Sequence, residues 1–223
     1  MHMKQLSFVL CGVCAAACLS VSAPSFAAID LMPKEVKVDA KATSVQVVNN
    51  SDRPEYVSIS LSRLLNPGVP LDDERLEPVG ESTHPSIYAY PFRMTLSPGQ
   101  TKTITLKPVR AVETETVYRL DVKPVVKVLA AEKKVATANI VVNLGFSGLV
   151  RQLPAKERQT LSVTCEADGA RVTATGTVRY PVTGAEVDGR KLDDFNVYPG
   201  VPLPVHGRVV KIPGYPACEG HAG

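Results

Sequence analysis

Short runs of alternating apolar and polar residues, each ended by Pro, Gly, Asn or Asp, restrict the fold of this chain more than any other feature. Residues 56–61 (YVSISL) and 101–106 (TKTITL) are examples, and a Ser-Pro-Gly-Gln turn over 97–100 precedes the second run. Alternation with period two is the pattern of a half-buried strand. Eighteen Pro and 15 Gly among 223 residues argue against long helices. The pattern therefore predicts an all-β protein.

The alternation divides the chain into two β-rich parts. It recurs up to about residue 152, pauses over 153–158 (LPAKER) and resumes at 161–167. About seven short strands in the first part are typical of an immunoglobulin-like sandwich. We therefore expect two β-sandwich domains, at 28–152 and 153–223.

The first 27 residues have the pattern of a secretory signal peptide. Lys4 precedes an apolar run over residues 6–21, and small residues occupy the −3 and −1 positions of a cleavage site after residue 27. The run is too short for a membrane span with its flanks. A lipoprotein anchor at Cys18 is the alternative, although the residue at −3 from it is not the usual leucine. The mature chain is expected to be exported.

Three of the five cysteines leave with this leader, and Cys165 and Cys218 remain. Exported proteins usually pair their thiols, so we expect a disulfide, with two free thiols as the alternative. In the chain-entropy model, closing a loop of roughly fifty residues contributes about 4 kcal/mol.

The sequence lacks the residue patterns of an enzyme. His84, His206 and His221 lie far apart with no Cys or carboxylate at ligand spacing, and no phosphate-binding loop or nucleophile elbow occurs. A net charge of +3 is too small to indicate a nucleic-acid partner. We expect no catalytic residues, no cofactor and no metal site.

The segment before residue 147 carries a continuous apolar row. Every second residue is apolar, and this row is Ala138, Ile140, Val142, Leu144 and Phe146. The residues between them are two asparagines, a valine and a glycine. One interpretation is an ordinary core strand. The other is a strand whose apolar row is lent to another protein, since an added strand supplies backbone hydrogen bonds and its alternate side chains fill pockets. Periodicity alone does not choose between them.

Four segments together resemble the periplasmic chaperones of chaperone–usher pilus assembly, in particular the class 5 (alpha-type) fimbrial chaperones. They are residues 56–68 (YVSISLSRLLNPG), 96–106 (LSPGQTKTITL), 115–120 (ETVYRL) and 149–154 (LVRQLP). The resemblance covers nearly all of the first domain, and over the second it amounts to size and β character.

The resemblance implies two immunoglobulin-like domains in a boomerang arrangement, with a pilin subunit held in the cleft. The row Ala138–Phe146 would then complete the sheet of a subunit that lacks its last strand. Implied partners are fimbrial subunits and the outer-membrane usher, and the unloaded protein could pair with itself. The implied location is the periplasm.

The better-known branch of this family binds the subunit's terminal carboxylate with an Arg and a Lys. The matching positions here fall near Glu35 and on Ser147, so these anchors do not carry over. Because a carboxylate binds to cationic side chains, Arg151 is the first candidate for the residue that binds the subunit's terminal carboxylate, followed by Lys37 and Lys34.

A tandem immunoglobulin-like pilus subunit or adhesin is the alternative function. A subunit would carry its own donor segment at the mature N-terminus, where residues 28–33 (AIDLMP) are short and Pro33 would interrupt a long strand.

Overall fold

The computed structural model describes residues 28–125 and 145–220. The predicted signal peptide and most of the predicted donor row lie outside these residues. In the described part, no helix is long and apolar enough to cross a membrane.

Within residues 28–125 and 145–152, ten strands and two short 3-10 helices form the first β-sandwich. The strands are β1 (Ile29–Met32), β2 (Glu35–Val38), β3 (Thr43–Asn49), β4 (Glu55–Leu64), β5 (Leu76–Pro78), β6 (Ile87–Tyr90), β7 (Arg93–Leu96), β8 (Thr101–Pro108), β9 (Thr116–Pro124) and β10 (Phe146–Gln152). The helices are η1 (Leu71–Asp73) and η2 (Val79–Glu81). One sheet has the order β1-β3-β8-β6, and the other has the order β2-β10-β9-β4-β5 with β7 also paired to β4.

Alternating burial holds the two sheets together. In β4 the odd positions from Val57 to Leu61 are buried, and in β8 Ile104 and Leu106 have no exposed surface. These inward residues meet between the sheets in one apolar cluster. The strands predicted at 56–61 and 101–106 are therefore confirmed, with the inward faces that the alternation indicates.

The first strand changes sheets partway along. β1 pairs antiparallel with β3, whereas β2 pairs parallel with β10, and Pro33 lies between β1 and β2. Pro has no backbone N–H to donate to a ladder, so a sheet change at this residue loses no donor. The change brings β2 beside β10, where the site described below begins.

The described residues after Gln152 contain nine strands, which form the second β-sandwich. They are β11 (Leu161–Glu166), β12 (Gly169–Ala174), β13 (Tyr180–Val182), β14 (Glu186–Val187), β15 (Arg190–Lys191), β16 (Phe195–Val197), β17 (Leu203–His206), β18 (Val209–Lys211) and β19 (Cys218–Glu219). Their inward residues form a separate core around Val172, Val197 and Val210. Cys165 and Cys218 are joined by a disulfide, which confirms the predicted pairing.

Residues 171–180 do not form one continuous strand. β12 ends at Ala174 and β13 begins at Tyr180. A Cβ on Gly176 would lie 2.0 Å from the carbonyl oxygen of Arg158, so the chain here passes against the interdomain segment instead of continuing a ladder. The division of the chain near residue 153 remains an interpretation of the sequence.

Candidate functional site: the cleft face of the first domain

One face of the β2-β10-β9-β4-β5 sheet points away from the first core. The pairing registers Leu149↔Glu35, Leu149↔Arg119 and Ser62↔Arg119 place one row across four strands. We call this surface the cleft face; its residues include Glu35, Lys37, Ser58, Ser60, Ser62, Leu64, Val117, Arg119, Asp121, Lys123, Ser147, Leu149 and Arg151.

The second domain covers one end of the cleft face. Leu64 and Val117 form a buried cluster with Tyr198, and Leu149 and Val201 pack against it. The other end of the face, toward the start of β10, carries the polar side chains of Ser60 and Asp121 instead. The apolar contact therefore fixes the second domain at one end of the face.

A buried ion pair lies beside this apolar cluster. The Arg151 guanidinium donates from Nε to Glu115 Oε1 at 2.5 Å and from Nη2 to Glu115 Oε2 at 3.0 Å, while Nη1 donates to Glu35 at 3.2 Å. The side chain of Glu115 is fully buried. Burial lowers the pKa of Arg151, but hydrogen bonds and charge from Glu115, and then from Glu35, outweigh it and leave that pKa raised.

The same carboxylates bind the second domain. The backbone N–H of Arg179 donates to Glu115 at 2.7 Å, and its guanidinium donates to Glu35 at 2.9 Å. Arg179 also donates to the hydroxyl oxygen of Tyr198 at 3.3 Å. The network therefore joins β2, β10, the residue before β9 and the second domain.

A second ion pair involves Arg119, which lies in one row of the cleft face with Leu149 and Ser62. Arg119 Nε donates to Glu74 Oε2 at 2.8 Å, and Arg119 Nη2 donates to the other carboxylate oxygen. The hydrogen bonds of Glu74 raise the pKa of Arg119, against a smaller lowering by burial. Glu74 follows η1, so this pair fixes the β4–β5 loop over the sheet.

Strand β10 has one open edge at its start. Its partner β9 pairs with it from Phe146 onward, whereas β2 pairs only from Leu149. In the described chain, residues 146–148 thus have a strand on one side only. Such an edge offers backbone donors and acceptors to an added strand.

Of the predicted donor row, only Phe146 lies within the described residues. Its side chain is half-buried and packs against the first core, as a core residue would. Ala138, Ile140, Val142 and Leu144 lie outside, and the role of the row stays a prediction.

The structure brings two of the three carboxylate candidates together. Arg151 pairs in register with Lys37, so both lie on the cleft face. Lys34 lies just before β2, and its carbonyl oxygen accepts the N–H of Leu149. Within the part of the chain that is described, neither lysine forms an ion pair, while Arg151 already holds two carboxylates.

Sequence reasoning missed three residues of the network: Glu115, Glu35 as an acceptor, and Arg179. Glu115 lies in the ETVYRL segment that carries the resemblance, which could have drawn attention to it. No local pattern marks Arg179, since its contact with Glu115 spans 64 residues. Among the described residues, no three His, Cys, Asp or Glu side chains converge as a metal site would require.

Comparison with known proteins places this architecture among the fimbrial chaperones. The structure of the class 5 fimbriae chaperone CfaA superposes with a TM-score of 0.65 at 20% identity, covering 84% of this chain and 93% of that one. A chaperone–tip adhesin complex of CFA/I fimbriae superposes with a TM-score of 0.64 at 22% identity, covering 83% of this chain and 90% of that one. The complex of the Salmonella enterica SafB chaperone with the SafA pilin superposes with a TM-score of 0.58 at 14% identity, covering 85% of this chain and 90% of that one.

Two Escherichia coli proteins, each named as a fimbrial subunit, are similar in sequence. The protein named for CFA/I fimbriae is 26% identical over 151 residues, which are 65% of this chain and 62% of that protein. The protein named for CS1 fimbriae is 23% identical over 181 residues, 75% of this chain and 74% of that one. The chain thus spans less than two thirds of the first relative's length. No family model matches it.

These comparisons define the class at the level of fold. The chain has the two-domain immunoglobulin-like fold of the chaperone–usher chaperones, which confirms the fold class predicted from sequence. The class 5 chaperones, represented by CfaA, are the branch that the sequence motifs indicated, and the predicted resemblance is confirmed.

Proposed function

We propose that this chain is a periplasmic, non-enzymatic chaperone that binds fimbrial subunits by donating a strand and delivers them to the outer-membrane usher. One observation carries the proposal: among the described residues, β10 is paired on one side only at its start, and the residues just before it in the sequence form the alternating apolar row. A subunit lacking its last strand would expose apolar surface and unpaired backbone. Three donated aliphatic side chains would contribute about 1.5–3 kcal/mol each before ordering costs.

Substitutions of single valines test the role of the donor row. The mature chain carrying Val142→Asp should fail to capture a fimbrial subunit when both are expressed in the periplasm. Val141→Asp is the matched control, because it puts the same charge on the other side of the alternation, and it should retain the subunit. Gel filtration and mass spectrometry of the tagged chain measure the one-to-one complex. Equal loss in both variants, or loss of circular dichroism with Val142→Asp, would contradict the proposal.

The subunit's terminal carboxylate is proposed to bind near Arg151 and Lys37. Since Arg151 already binds Glu115 and Glu35, a subunit carboxylate competes for it with internal acids, whereas Lys37 has no ion pair within the described chain. Lys37→Met should weaken capture of subunits with a free carboxylate more than capture of amidated ones. Equal weakening of capture for free and amidated subunits would show that Lys37 does not bind the carboxylate.

The names of the two sequence relatives support a second candidate, a tandem immunoglobulin-like fimbrial subunit. Such a chain would form head-to-tail polymers by itself. Gel filtration of the isolated mature chain distinguishes these candidates, because a chaperone without its cargo remains a monomer or a small closed oligomer.

A further inference from the structure

Glu35 is the exposed acid of the network that joins the two domains. Its side chain is 40% exposed, whereas that of Glu115, the other acid of the network, has no exposed surface. Glu35 Oε1 accepts from Arg151 Nη1 at 3.2 Å and from Arg179 Nη2 at 2.9 Å, and Oε2 accepts from Arg179 Nη1 at 3.4 Å. A single carboxylate thus binds two arginines that come from different domains.

The two acids are held differently. Glu115 accepts from both Nε and Nη2 of Arg151 and from the backbone N–H of Arg179. Because Glu115 is fully buried, its departure would leave the Arg151 charge buried and uncompensated. Glu35 accepts only one N–H of Arg151, and water can solvate its carboxylate when the pair opens, so the pair is easily broken. Glu35 is therefore the acid that can give up its place.

The donors that Glu35 would leave behind form a receptor for another carboxylate. Arg151 Nη1 and the Arg179 guanidinium meet at the two oxygens of one carboxylate, which is the pairing that arginine prefers. An incoming carboxylate keeps the balance of two arginines and two acids, whereas a neutral group leaves one positive charge unpaired. Solvent reaches the site beside the second domain, since Glu35 itself is partly exposed.

We propose that Glu35 is an internal substitute for the terminal carboxylate of the bound fimbrial subunit. It occupies Arg151 and Arg179 in the unloaded chain and is displaced when a subunit is loaded. This inference rests on the proposed function. The donor row leads directly into β10, and Arg151 follows Phe146 by five residues, about 17 Å along the strand. About five extended residues at the end of a subunit cover this distance.

An internal competitor acts before and after loading. In the unloaded chain it keeps the arginines of both domains paired, and at handover it competes with the departing carboxylate for the same donors. The apparent dissociation constant for the carboxylate is raised by the inverse of the fraction of chains in which Glu35 has left the arginines. Removal of the Glu35 charge should therefore tighten binding, although it deletes a residue of the site.

The experiment is calorimetric titration of the mature chain with a synthetic peptide of a captured subunit's C-terminal strand, as free acid and as terminal amide. Glu35→Gln should bind the free acid at least about tenfold more tightly than wild type, as expected if Glu35 occupies the arginines in about 90% of chains. The amide should bind both chains equally, which separates a terminal carboxylate from acidic side chains of the peptide. Adding Arg179→Met to Glu35→Gln should abolish the gain.

Glu166→Gln is the matched control. It removes the same charge from an exposed pair with Arg171, which shares no residue with the network, and it should bind the free acid like wild type. A gain in this variant would attribute tightening to net charge and overturn the inference. Glu35→Ser provides a second variant if Glu35→Gln melts at a lower temperature.

Unchanged or weaker binding of the free acid by Glu35→Gln and Glu35→Ser, in chains that still capture the subunit through the donor row, would overturn this inference and leave the proposed function intact. Equal tightening for acid and amide would overturn it as well, because the terminal carboxylate would then not be the group that Glu35 replaces. A wild-type chain that captures no subunit would overturn the proposed function and this inference with it.

Discussion

At the scale of single residues, Glu115 is the acid on which the domain arrangement most depends. Its fully buried carboxylate accepts from the Arg151 side chain and from the backbone of Arg179 in the second domain. A buried ion pair is not in itself strong evidence of stability, but removal of one partner leaves the other charge buried and uncompensated.

Glu115→Gln should therefore lower the free energy of unfolding by about 3 kcal/mol, since breaking a buried pair typically costs 3–5 kcal/mol and the amide keeps some hydrogen bonds. Urea unfolding measures the change. Arg53→Gln is the control, because Arg53 is 77% exposed in its pair with Glu55, and it should cost less than about 1 kcal/mol. Similar losses in both variants would show that burial of Glu115 is unimportant.

Tyr118 is a buried phenol whose ionisation links stability to pH. Its hydroxyl lies 2.6 Å from Ser86 Oγ, and burial raises its pKa above 10.0, against smaller lowering by Ser86 and Arg63. The unfolded state therefore loses this proton first, and the contribution to stability is full below about pH 10 and is lost as pH rises through the folded-state pKa.

In Tyr118→Phe, the free energy of unfolding should decrease less steeply with rising pH above about pH 10 than in the wild type. At pH 7 the variant should be less stable by about 1 kcal/mol, because it lacks the hydrogen bond of the hydroxyl. Urea titrations at pH 7 to 11 measure both quantities. Parallel pH curves for the variant and the wild type would contradict the assignment.

At the scale of elements, the crossing of β10 over the chain between β1 and β2 depends on one glycine. A Cβ on Gly148 would lie 2.6 Å from Leu31 Cδ2 and 3.3 Å from the Lys34 carbonyl oxygen, and Leu31 is itself buried. A Cβ on Gly145 would meet Lys123 Cγ at 2.8 Å, but that side chain is 65% exposed and can shift toward solvent.

Gly148→Ala should lower the free energy of unfolding by about 1–3 kcal/mol through overpacking, whereas Gly145→Ala should be close to neutral. Thermal and urea unfolding of the two variants measure the difference. Equal stability would mean that β1 and β2 shift freely against β10.

The elements also show how far the sequence can be interpreted. Alternation identified β4 and β8 because each has one buried face, but β5 and β6, three and four residues long, give too few periods to be recognised. The division of the first strand between two sheets was not predictable, since the choice of partner is made by tertiary packing around Leu31 and Gly148. The break at Gly176 likewise follows from a contact with the distant Arg158.

At the scale of the whole molecule, the sequence predicted the fold class better than the site. Arg151 was selected for its charge, yet its nearest acids are internal, and they come from positions 36 and 116 residues away in the chain. A single sequence does not show such pairs, because nothing local in it says which charges meet. The disulfide was predictable because only Cys165 and Cys218 lie outside the predicted leader, and two cysteines allow one pairing only.

Loss of the disulfide should destabilise the second domain alone. The bond closes a separation of 53 residues within that domain and joins β11 to β19, so its removal should cost about 4 kcal/mol in the chain-entropy model. The Cys165→Ala/Cys218→Ala double variant should then show faster hydrogen exchange in peptides from 161–219. Peptides from β3 and β8 should keep their protection, since the first core shares no residue with the second. Mass spectrometry of the exchanged peptides measures both regions in one sample. Faster exchange in β3 and β8 as well would mean that the two domains unfold as one unit through the Glu115 network.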